Sequence, residues 1–219
     1  MMRAFSSLGV LGAIAVAGGL SAGAQAATLS ATFHGASPSL TIELSLDGGD
    51  DYDDYTAGLM NWTKTGGDYD GVDGDYSTFC IELTEHVHSG DSYTFDVVDT
   101  ELAPTSASMG IGKADLIDEL YGRFFGGLDF DDPGEMAAFQ LAVWEIVYDS
   151  GVDLTDGWFR AASGSYRSLA QSYLSSLDGS GPRLAVEALA REGVQDQLIV
   201  PEPASALLLS LALAAWRRR

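Results

Sequence analysis

One cysteine, and eleven basic side chains against thirty-two acidic ones, are what this 219-residue chain has least of. A single thiol excludes an intramolecular disulfide. So few lysines and arginines exclude nucleic acid as a partner, because phosphates are bound by cations that displace their counterions. The same charge resists anionic membranes, and it also keeps a chain soluble through self-repulsion. Signatures are missing too. There is no G-x-S-x-G nucleophile elbow, no EF-hand register D-x-[DN]-x-[DN]-G, no G-G-x-G-x-D array and no internal repeat. No apolar run reaches the ~20 residues that cross a bilayer as a helix.

Two shorter apolar runs stand at the ends. Residues 1–26 carry Arg3, a small-residue apolar stretch from Leu8 to Leu20 and then Ala24-Gln25-Ala26. That is the order of a secretory signal peptide and its cleavage site. Residues 201–219 hold Pro201-Glu202-Pro203, an apolar segment from Ala204 to Trp216 and the triplet Arg217-Arg218-Arg219. This tail resembles the PEP-CTERM sorting signal of Gram-negative bacteria. The resemblance implies an exosortase-type processing enzyme as partner, only transient membrane contact through the tail, and a protein exported to the cell surface or extracellular matrix. The working domain is then residues 27–200. It has seven basic and thirty-one acidic side chains, a net charge of −24, and a length suited to one core.

Turn-rich GGDD, TGGD and SGD separate strand-like runs at Thr28–His34, Leu40–Leu46, Thr56–Lys64, Tyr76–Thr84 and Ser92–Val98. Nine aspartates between Asp47 and Asp75 fall between these runs. They suit solvated loops, with weak calcium binding as the alternative. The period then changes. Leu116, Ile117, Leu120, Tyr121 and Phe124 predict a helix over Gly112–Phe125. Asp131-Asp132-Pro133 opens a second helix running to Ser150, and a third covers Tyr166–Leu177. Strands at Leu184–Ala190 and Gln195–Val200 complete the chain. The order predicts an α+β fold, with an antiparallel, barrel-like sheet in the N-terminal half and a helical subdomain packed on it.

Gln140 is the odd residue of the second helix. At 100° per residue, Glu135, Ala138, Ala142, Glu145 and Asp149 form a wet face, and Gln140 lies nearly opposite among Met136, Val143, Trp144 and Val147. A carboxamide buried without partners costs about 1–3 kcal/mol, so it needs one; strand backbone is the ordinary choice. Cys80 is the second oddity. Phe79, Ile81 and Leu83 share one strand face, while Cys80 shares the other with Tyr76, Thr78, Glu82 and Thr84. In an exported chain it is either a small buried residue or a reactive thiol. A Cys80 sulfur that displaces ammonia from Gln140 would form an internal thioester, an activated acyl group for single use, protected by apolar neighbours such as Trp144 and Val147.

Phe79-Cys80-Ile81 resembles the aromatic-Cys-Val/Ile motif of bacterial surface thioester domains, and Gln140-Leu141-Ala142-Val143-Trp144 resembles their T-Q-x-A-[IV]-W motif, in the same order. Phe139 replaces the threonine. The resemblance implies a Cys80–Gln140 thioester and a packing role for Trp144. It also implies adhesin-like covalent capture of an amine- or hydroxyl-bearing target by a protein that is not an enzyme and needs no cofactor. Phe79, Val143 and Val147 complete the expected supporting pocket. The alternative is a structural exopolysaccharide or biofilm matrix protein, without reactive chemistry or with the thioester as an internal brace. Zinc on Cys80, His86 and His88 is disfavoured, since six residues of extended strand span roughly 20 Å. A cysteine hydrolase built on Cys80 with either histidine has no recognisable oxyanion hole. His34 has no evident catalytic partner.

Overall fold

The computed structural model describes residues 26–201 other than Thr105. The leader before Ala26, and the sorting tail beyond Pro201 with Glu202 and Pro203, lie outside the described residues.

The architecture is α+β. Six antiparallel strands close into a barrel: β1 (Thr28–Ser45), β2 (Asp53–Gly67), β3 (Asp75–Cys80), β7 (Gln197–Ile199), β6 (Glu187–Ala190) and β4 (Ser92–Asp99), which returns to β1. A two-residue strand β5 (Arg160–Ala161) pairs with the far end of β1. Three helices pack on this sheet: α1 (Gly110–Phe124), α2 (Pro133–Tyr148) and α3 (Ser165–Leu174).

Alternation places the strand faces. Leu29, Ala31 and Phe33 are buried while Ser30, Thr32 and His34 are not, and Phe95 and Val97 repeat the pattern on β4. The runs at 28–34 and 40–46 prove to be one strand. The intervening Gly-Ala-Ser-Pro-Ser is absorbed as register shifts against β2, with a cis Ser37–Pro38 bond, instead of breaking the ladder. β2 is buried continuously from Ala57 to Met60 because α2 covers its second face. β3 is shorter than alternation predicts and stops at Cys80.

α2 begins as its sequence dictates. The Asp132 carboxylate accepts from the Gly134 and Glu135 amides, and Pro133 occupies the first turn. Of the predicted wet face only Glu135 and Asp149, at its two ends, are partly exposed. Every residue from Met136 to Val147 is buried, including Ala138, Ala142 and Glu145. Lys113 of α1 and the segment after Asp149 close over that side. Lys113 Nζ donates to the Val147 carbonyl, Asp149 accepts from the Trp158 and Phe159 amides, and Tyr148 stacks on Trp158 and Phe159. Two alanines, small enough for neighbours to approach closely, read as solvent-facing only when the later chain is ignored.

Candidate functional site

Cys80 is the last residue of β3. It is 2 % exposed and opposite Gln197 of β7. The Ile81 amide still donates to the Asp196 carbonyl at 3.0 Å. Since backbone groups alternate in direction, those of Cys80 point the other way, towards β2. The β2–β3 ladder ends at Met60–Thr78, however. Gln140 fills the vacant position. Its Oε1 accepts from the Cys80 N–H at 3.0 Å, and its Nε2 donates to the Cys80 carbonyl at 2.7 Å. The carboxamide thus behaves as one peptide group of a missing strand. It is pinned to the backbone of the residue that carries the thiol.

One helical turn beyond Gln140, the Trp144 indole N–H donates to Cys80 Sγ at 3.3 Å. The sulfur also lies 3.5 Å from the Glu82 carbonyl. Burial pushes the Cys80 thiol up to about 12, against the opposing hydrogen bond from the Trp144 indole and the contact with the Glu82 backbone, with the Glu82 charge adding to the rise. At neutral pH the group is a thiol, not a thiolate. Burial and tight proton binding slow such a sulfur towards solvent reagents, and the group the fold holds beside it has the advantage of proximity.

The fold brings Cys80, Gln140 and Trp144 together. The other expected pocket residues are buried elsewhere. Phe79 points to the opposite face, 4.8 Å from the Phe139 ring and 6.4 Å from Tyr121. Phe139, in place of the motif's threonine, belongs to that aromatic cluster with Tyr121, Phe125 and Tyr173. Val143 and Val147 are buried but line no part of the cavity above the sulfur. Trp144 alone of the four does.

That cavity encloses about 510 Å³. Cys80 and Trp144 are flanked in it by Phe33 and Ala36 of β1, by Asp54–Thr56 and Met60 of β2, by Leu83 and His86–His88, and by Gln195. The chain leaves the strand direction after Cys80, so an extended-strand separation does not apply to the histidines, and both border the cavity that Cys80 borders. Tyr148 fixes the turn by accepting from the Leu83 amide at 2.8 Å. Gln195 holds it from the other side by donating to the Glu82 carbonyl at 2.7 Å. Below, Trp62 donates to Thr78, and Thr78 donates to Gln197. Tyr148, Gln195 and Gln197 carry no sequence signal of this role, because their partners are 65 to 119 residues away.

Among the described residues no group of three or more His, Cys, Asp or Glu side chains is arranged to hold a metal ion. Several loop aspartates serve their own turns: Asp47 accepts from Ser45 and Gly49, and Asp68 from the Thr28 amide and hydroxyl. His34 Nε2 lies 2.8 Å from the Thr63 hydroxyl, which itself donates to Asp75. That hydroxyl proton points away from the imidazole, so the three do not form a nucleophile and its base. No described helix is long and apolar enough to cross a membrane. No family model, curated protein or solved structure matches the chain.

Proposed function

We propose that Cys80 and Gln140 close an internal thioester, and that the domain uses it once to couple covalently to an external nucleophile at a cell surface or in an extracellular matrix. The observation that carries this reading is the docking of the Gln140 carboxamide on the Cys80 backbone, beneath a cavity that reaches the sulfur. In closure the S–C bond forms and the Gln140 C–N bond breaks, and the thiol proton departs with the ammonia. In capture an amine or hydroxyl takes the acyl group and the thiol is restored. Holding both groups in one geometry replaces a bimolecular encounter, and the buried surroundings slow hydrolysis. The two end segments fit the same reading: a leader for export at 1–26 and an exosortase-sorted tail at 201–219, flanking a working domain at 27–200.

A second reading has its own support. Both polar ends of the Gln140 amide are satisfied by Cys80, so the pair also works as a non-covalent clamp in a structural matrix protein. Intact mass separates the two. The thioester leaves the purified chain lighter by one ammonia, and Cys80→Ala and Gln140→Ala each restore full mass. A wild-type chain at full mass with a titratable thiol refutes it.

A further inference from the structure

The cavity above Cys80 has a solvent side, and the segment that forms it is anchored. The Leu83 amide is held by Tyr148, the His88 amide donates to the Tyr93 hydroxyl at 2.9 Å, and the Gly90 amide donates to the Phe33 carbonyl at 2.8 Å. The Phe33 amide returns a bond to the Asp91 carbonyl. His86 and His88 are exposed residues of this fixed segment, and both line the cavity. No lysine or arginine lines it; Asp54 does.

We propose that His86 and His88 accept the proton of an incoming ammonium group, freeing its nitrogen to attack the Gln140 acyl carbon. The proposal rests on the thioester reading above. An alkylamine is protonated at neutral pH and has no free electron pair, so attack requires a base beside it. The other groups bordering the cavity serve that purpose badly. Cys80 sulfur leaves as a thiolate only after attack, Tyr55 is a phenol whose proton is held more tightly by burial, and a carboxylate is in general a weak base at neutral pH. Imidazole exchanges protons in that range. Asp54 and the net negative surface draw the cation in.

The balance closes. The ammonium gives one proton to imidazole, its nitrogen bonds to the acyl carbon, and the C–S bond breaks. The new amide nitrogen sheds a second proton. One of the two goes to the departing Cys80 sulfur, and the other passes through imidazole to water.

The test compares two small nucleophiles on the purified full chain at pH 7: methylamine, which is protonated there, and hydroxylamine, which is not. Adduct mass and thiol release give the rates. The His86→Gln, His88→Gln double variant is expected to lose about 100-fold in rate with methylamine, to stay within about threefold with hydroxylamine, and to regain methylamine coupling when imidazole is added to the buffer. The single variants then show which ring carries the larger share. An unchanged methylamine rate overturns the proposal, as does a parallel fall with both nucleophiles that imidazole does not rescue. A wild-type chain at full mass removes the thioester itself, and this inference with it, which distinguishes that failure from the failure of the histidines alone.

Discussion

Glu145→Gln should make the protein more stable, and more so as the pH rises. Glu145 sits in α2 at 0 % exposure, and neither carboxylate oxygen has a hydrogen-bond partner of good geometry. Burial, reinforced by the Asp149 charge, pushes its carboxyl up to about 8 from an ordinary 4.5; the Asp153 amide and the Lys113 ammonium oppose the rise. In the unfolded chain the group ionises near its ordinary value. Between 4.5 and 8 the folded state therefore binds a proton that the unfolded state has lost, and stability falls as pH rises through that window. The contribution is complete below 4.5 and gone above 8. Each tenfold change in proton affinity is worth about 1.4 kcal/mol, so the whole displacement amounts to about 5 kcal/mol at most. Glutamine keeps the shape and cannot ionise. Urea unfolding of both proteins at pH 4.5, 6, 7.5 and 9, followed by circular dichroism, reads the difference directly. The variant should gain little at the lowest pH and several kcal/mol at the highest. Parallel stability curves across the range would refute the argument.

Glu119 is the counter-case. It is equally buried, yet it accepts from Arg123 and from the Asp178, Gly179 and Gly181 amides, which outweigh the desolvation and hold its carboxyl below the usual range. Glu119→Ala should cost about 3–5 kcal/mol by urea unfolding, and the wild-type advantage should disappear as pH falls below the ordinary glutamate range. Gln140→Met leaves the Cys80 N–H and carbonyl without partners and should cost about 2–4 kcal/mol by thermal or chemical unfolding, on top of any covalent effect. Trp144→Phe removes the indole donor from the Cys80 sulfur and should cost about 1 kcal/mol; if the thioester is present, mass spectrometry should also show faster hydrolysis. Gly122→Ala places a methyl group against the Pro182 carbonyl, and a lower melting temperature is expected, with the mass unaltered.

Strand and helix positions were legible because they rest on local period. The Asp132 cap and Pro133 marked the start of α2, and Phe95 and Val97 marked β4. Gln140 was legible as a buried amide in need of a partner, and Cys80 as a thiol without one. Side-chain surroundings set by distant chain were not. Glu145 read as solvent-facing because its cover comes from α1 and from residues after Asp149. Phe79 read as part of the thiol pocket through its place in the aromatic-Cys-Ile motif, although strand alternation already set it on the face opposite Cys80. The histidines read as remote because nothing local in Ile81–Val87 marks the departure from strand geometry. Tyr148 and Gln195, which hold that departure in place, are visible only after folding.

β7 is the last described strand, and it lies inside the barrel between β3 and β6. Tension applied to the chain beyond Pro201 would enter through a three-residue strand bonded on both sides, so it is borne in shear across two ladders instead of peeling an edge. One of those ladders includes the Cys80–Gln197 pair. A mechanical load on the C-terminal end passes Ile199 and Leu198 and is carried last by Gln197, the partner of the residue that Gln140 clasps.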